Sequence, residues 1–172
     1  MRSLVAELAR ARIGSTFNQY AASPLRQARL RAYLDARSSA RWLLVGEAAG
    51  YRGARVSGLP FTSERQLSGA GPGEASATIV HRVLAELGAE PDVLLWNLVP
   101  THPYRRGNPL SNRRPTRTEV ESSRPFLHRL ARGRRVVPVG RLAHGELGGS
   151  YVRHPAHGGA REFRTALIQL LA

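Results

Sequence analysis

Three short apolar runs constrain this chain more than any other feature: WLLV at 42–45, the LLW of DVLLWN at 92–97 and the VVPV of RRVVPVG at 134–140. A strand with one wet face alternates polar and apolar residues. A run without alternation is buried on both faces, which is the mark of a parallel sheet covered by helices. SYVRHP at 150–155 reads as a last strand breaking into a loop. Helical patterns lie at 2–12, 24–37, 73–88, 117–131 and 159–171, with a short helix after residue 140. Pro24 suits a first turn behind a Ser23 cap. Ile79, Val80, Val83, Leu84 and Leu87 recur at helical spacing, and Gly88 supplies a stop. Strands alternating with helices predict an α/β/α three-layer sandwich around a short, mostly parallel central sheet. The 172 residues suit a single domain, with N-terminal helices at 1–40 and an α/β core at 42–171.

In such sheets, sites form at the carboxyl ends of the strands. The three segments richest in glycine, proline and polar residues each follow a strand: 46–64, 97–116 and 153–161. Together they would build one site at one edge of the sheet.

Charge narrows the partner. The chain carries 26 basic residues against 12 acidic ones, a formal net charge of +14, and every base is arginine. A coding bias explains arginine over lysine but not the surplus, which points to a polyanion, most simply nucleic acid. Without lysine, a lysine Schiff base and a P-loop lysine are both excluded. Without cysteine, disulfides, thiolate zinc sites, cysteine-held iron–sulfur clusters and cysteine nucleophiles are excluded. No run of eighteen apolar residues and no export-type apolar segment occurs, so no membrane association is expected and cytoplasm is the default location.

Several loop residues carry chemistry. Glu47 falls just beyond the first strand, where a carboxylate can orient or deprotonate a water, or cap a turn. Gly46, Gly50, Gly53 and Gly58 permit close backbone approach to a ligand, or serve turns. Phe61 in a polar loop can stack on a base or plug the core. Asn97 offers one acceptor and two donors, which suits a base edge as well as a strand-end cap. His154 can stabilise a developing oxyanion. His102, His154 and His157 match no metal signature, so no metal or other cofactor is expected.

GEAAGYRG followed by SGLPF, WNLVP at 96–100 and RHPAHGG at 153–159 together resemble the uracil-DNA glycosylase superfamily over residues 42–171. GEAAG is similar to the GEAPG of its iron–sulfur branch. Gly50, Gly53, Ser57, Gly58, Pro60 and Phe61 follow the pattern of its single-strand-selective monofunctional branch. The resemblance implies a uracil-DNA glycosylase-like fold and excision of a flipped base from DNA by a monomeric, nucleoid-associated enzyme. It implies that Phe61 stacks on the base, Asn97 bonds its Watson–Crick edge, His154 stabilises the leaving base and Glu47 positions water. The backbone at Gly46, Ala48 and Gly50 would hold the base. Arg52, Arg105, Arg106, Arg113, Arg114, Arg153 and Arg161 would grip phosphates. With no lysine there would be no lyase step.

The sequence departs from the family in three places. Ala48 stands where several branches place a water-handling Asp or Asn, and Ala49 replaces a proline. Gly50 stands where the uracil-specific branch has a tyrosine, which leaves room near C5 for larger or modified bases. Two alternatives follow: a DNA-binding member without turnover, and a small-molecule nucleotide-using enzyme.

Overall fold

The computed structural model describes residues 2–171. Helices α1 (Arg2–Arg10) and α2 (Pro24–Ala36) precede strand β1 (Trp42–Ala48). Short helices α3 (Ala54–Ser57) and α4 (Glu64–Ser68) and the longer α5 (Ala75–Glu86) lead through a 3₁₀ turn at Glu90–Asp92 to β2 (Val93–Val99). Helix α6 (Arg117–Ala131) precedes β3 (Arg135–Pro138), and α7 (Arg141–Leu147) and α8 (Ala160–Leu171) follow it. The three strands are parallel, in the order β2-β1-β3.

The apolar runs are continuous because both faces of the sheet are covered. Leu43, Val45, Leu94 and Trp96 pack beneath α1, α2 and α6, against residues such as Leu8, Leu34 and Leu127. Leu44, Leu95 and Val137 face the other way, onto Val80 and Leu84 of α5 and Phe163 and Leu167 of α8. This is the expected α/β/α arrangement. Each fully buried aliphatic side chain contributes about 1.5–3 kcal/mol.

Three expectations change. First, 150–155 is not a strand: Val152 makes a single bridge to Val139. The chain turns into α7 at Arg141, so the sheet offers Val152 no further backbone to pair with. Second, β1 and β2 run further than their apolar runs. Gly46 pairs with Asn97 and Ala48 with Val99, so Glu47 projects from a strand rather than from a loop beyond it, and Asn97, expected at the end of its strand, lies two residues inside it. Third, 46–64 is largely ordered by its own polar groups. The Ser57 hydroxyl donates to Thr62 O at 2.6 Å and accepts from Leu59 N at 3.0 Å, and a Ser63–Gln66 capping box opens α4.

The N-terminal region braces that segment. Ser23 caps α2 as expected, accepting from Arg26 N. The Tyr20 hydroxyl donates to Gly58 O at 3.0 Å, Arg26 Nε to Val56 O at 2.8 Å and Arg29 Nη1 to Ser57 O at 3.2 Å.

Arg113 is a strut of the fold rather than a free cation. It grips the Glu119 carboxylate in a fork at 2.8 and 2.6 Å, and also donates to Tyr104 O and the Ser15 hydroxyl. Glu119 is 1% exposed. Burial works to raise its carboxyl, but hydrogen bonds from Arg113, Thr116 N and Ser15 N hold it below the ordinary carboxylate value. Removing the guanidinium leaves a buried charge uncompensated. Arg113→Ala is expected to lose about 3–5 kcal/mol of folding free energy, read by urea denaturation.

Candidate active site

A cavity of about 550 Å³ opens at the carboxyl edge of the sheet. β1 gives it Glu47 and Ala48, β2 gives Asn97, the end of β3 gives Val139 and Gly140, and the closing loop gives His154 and His157. Ala49, Gly50 and Phe61 complete one wall. Residues far apart in sequence meet because parallel strands all end on one side.

The first wall is set by close contact. Phe61 is 7% exposed and sits at φ 50°, a left-handed conformation rare for a residue with a side chain. Its ring lies against Gly46. A Cβ at Gly46 would come within 2.8 Å of Phe61 Cε2 and 2.9 Å of Asn97 Oδ1. Gly46 therefore lets the ring and the amide share one corner, and it lies behind Phe61 rather than lining the cavity. Gly46→Ala is expected to cost about 1–3 kcal/mol by overpacking and to tilt the ring into the cavity. Thermal denaturation should register a lower melting temperature, and ligand titration a weaker fit.

Asn97 is 5% exposed, and among the described residues no protein group bonds its amide. Its amide atoms are not fully buried, because the residue borders the open cavity. Its donors and acceptor face the cavity that Phe61 closes. The Phe61 and His154 rings lie 6.3 Å apart at 31°.

His154 is oriented by its own loop. Ala156 N donates to His154 Nδ1 at 3.2 Å, which leaves Nε2 as the protonated nitrogen of the neutral ring. Burial lowers its pKa below the ordinary histidine value, and the neighbouring His157 adds to the effect. A neutral imidazole results, with one N–H to offer. Glu47 moves the other way: burial raises its carboxyl above the ordinary value, against the opposing pull of Arg114.

Glu74 also lines the cavity, although nothing in the sequence marked it. It occupies the N-cap position of α5, yet its side chain makes no cap hydrogen bond. The carboxylate instead lies against Gly50 and Gly53, where a methyl group on either glycine would collide with it. Burial raises its pKa. Gly50 and Gly53 are small because Glu74 occupies the space a side chain would need. Their spacing was the one available signal, and it has a backbone-turn explanation that needs no partner.

The arginines divide. Arg113 and Arg114 line the cavity, Arg114 as an exposed cation beside Glu47. Arg52, Arg105, Arg106 and Arg161 are exposed and outside it. Arg52 lies over the Tyr51 ring at 5.3 Å, and Arg153 pairs with Glu162 at 2.9 Å. His102 is buried between two carbonyls, Ala49 O at 2.8 Å and Pro109 O at 3.3 Å, and ties the second loop to the first.

The carboxyl edge of the parallel sheet thus gathers an aromatic ring, an amide, a carboxylate and a histidine. The family model of the uracil DNA glycosylase superfamily matches residues 34–168, and the chain belongs to that superfamily. The crystal structure of wild-type Pedobacter heparinus SMUG2 superposes with a TM-score of 0.71, covering 99% of this chain and 97% of that one. The two are 12% identical, so the likeness is one of fold. No curated protein matches the chain.

Proposed function

We propose that this protein is a monofunctional DNA glycosylase that hydrolyses the N-glycosidic bond of a flipped deaminated or modified base, uracil or a relative of it. The observation that carries this reading is Asn97: a largely buried residue whose amide borders a cavity lined also by Phe61, on the frame of a DNA glycosylase family. A flipped base stacks on Phe61 and pairs with that amide. His154 Nε2–H donates to the base oxygen on which negative charge develops. Glu47, as the ionised carboxylate, holds the attacking water and faces the positive charge growing on the sugar. The chain has no lysine, so no lysine amine attacks C1′, and water is the nucleophile.

Glu74 occupies the space beside Gly50 that a side chain would take, so the breadth of the pocket there is set by the Glu74 carboxylate rather than by the missing side chain. Arg52, Arg105, Arg106, Arg114, Arg153 and Arg161 supply phosphate contacts, and binding should weaken steeply with salt. Acting on DNA would place the protein at the nucleoid. Among the described residues no helix is long and apolar enough to cross a membrane.

The test is alkaline cleavage of abasic sites after incubation with oligonucleotides carrying uracil, hypoxanthine, xanthine or 5-hydroxymethyluracil, single- and double-stranded. Release of at least one base is expected. Tight, salt-sensitive binding without release from any of them would overturn the enzymatic reading and favour a binder. Ala48 is the observation behind that outcome, since it adds no polar group beside Glu47.

A further inference from the structure

A second cavity, of about 890 Å³, adjoins the first. The two share Gly140, Arg141, His154, Ala156 and His157, so they form one trough divided by the His154 loop. The far compartment adds His144, Tyr151 and Arg153, and no carboxylate lines it. Tyr151 is an exposed aromatic at its rim, 44% accessible. Its ring is held edge-on by His144, with centroids 5.4 Å apart at 73°. His144 is itself fixed through Nε2 to Gly149 O at 3.1 Å. One edge of the tyrosine is therefore braced, and much of its surface remains open to solvent.

An exposed ring beside a cavity offers a stacking face at that cavity's rim. The composition of this compartment narrows the occupant. Aromatic and cationic groups suit a base on a phosphodiester backbone, with a phosphate displacing Glu162 from its exposed pair with Arg153. Continuity with the first cavity makes it a neighbour of the flipped nucleotide, because a strand delivering one base to Phe61 must carry the next one along the trough.

We propose that this compartment binds the nucleotide adjacent to the flipped one, with its base stacked on Tyr151 and its phosphate between Arg141 and Arg153. The proposal rests on the glycosylase reading for the strand's course and extends it to a second nucleotide. A base drawn out of its own stack in this way is most available in single-stranded DNA.

The experiment pairs a protein change with a DNA change. Wild type, Tyr151→Phe and Tyr151→Ala are assayed on single-stranded oligonucleotides carrying one excisable base. The nucleotide on its 5′ or 3′ side is either intact or a tetrahydrofuran spacer that lacks a base. Tyr151→Ala is expected to lower kcat/KM about tenfold on the intact strand, and Tyr151→Phe to keep it. Removing the correct flanking base from the wild-type reaction should cost a similar factor, and the two changes together should cost no more than either alone. Equal losses with and without the flanking base on both sides, or no loss at all, would overturn the proposal. If wild type releases no base, the same cycle is run on binding by fluorescence anisotropy. Failure of the glycosylase reading thus stays separate from failure of the flanking site.

Discussion

Glu47→Gln is expected to slow base release by about 10²–10⁴-fold while leaving DNA affinity within a few-fold of wild type. The two side chains are nearly equal in size, so the cavity keeps its shape and Phe61, Asn97 and His154 keep theirs. What disappears is the charge. A glutamine can still hold a water by hydrogen bonding, but it neither takes the water's proton nor faces the sugar cation with a negative charge. The pH profile supplies a second readout. In the proposed role Glu47 works ionised, and burial raises its carboxyl above the ordinary value. Activity should therefore be full at higher pH and fall as pH drops through that raised value. The acid limb in kcat/KM should lie above where an exposed glutamate titrates. Glu47→Gln should abolish this limb along with most of the rate. Glu74 is also raised by burial, so Glu74→Gln is the control. If Glu74→Gln removes the acid limb and Glu47→Gln does not, the catalytic carboxylate has been misassigned. Single-turnover kinetics separates these outcomes from slow product release.

The strands were legible because burial on both faces writes an unbroken apolar run, and WLLV, LLW and VVPV are such runs. Their ends were not. Glu47 lies within a strand because β1 keeps pairing past its apolar residues, and β2 runs two residues beyond Asn97 for the same reason: pairing depends on the partner rather than on local composition. Val152 failed as a strand for the same reason in reverse: its partner turns away. Phe61, Asn97, Glu47 and His154 could be gathered from sequence because parallel topology sends every strand end to one edge. Glu74 could not, because a glutamate at a helix start has an ordinary capping explanation, and only the fold shows it pressed on Gly50 and Gly53. Arg113 looked like its exposed neighbours. Its role depends on the burial of Glu119, which in sequence is one more acid in the first turn of a helix. The N-terminal region carried no motif, and its bracing of Val56, Ser57 and Gly58, by Arg26 and Arg29 of α2 and by Tyr20 before it, became visible through three carbonyl contacts.

His154→Ala is expected to cost about 10²–10³-fold in kcat, the range for losing one oxyanion donor, with little change in DNA binding. How that loss varies with pH tests which form of the ring acts. Nδ1 accepts from Ala156 N–H, so a proton added there would face another donor at 3.2 Å. Burial and His157 both disfavour the cation as well. Protonation therefore belongs below the ordinary histidine range, and above that range the ring is neutral with its single proton on Nε2. The ratio of wild-type to His154→Ala rates should stay constant between about pH 7 and pH 9 for a group of this type. A ratio that shrinks as pH rises would mean that an imidazolium does the work, and the neutral-donor assignment would fall. Gly159→Ala gives the complementary perturbation. A Cβ there would collide with the His154 carbonyl, a backbone atom that cannot swing aside. It should displace the loop while keeping the imidazole, and so reproduce much of the His154→Ala loss. If Gly159→Ala were fully active, donor placement would not be set by the closure of this loop, and the hydrogen bond from Ala156 would be dispensable for catalysis.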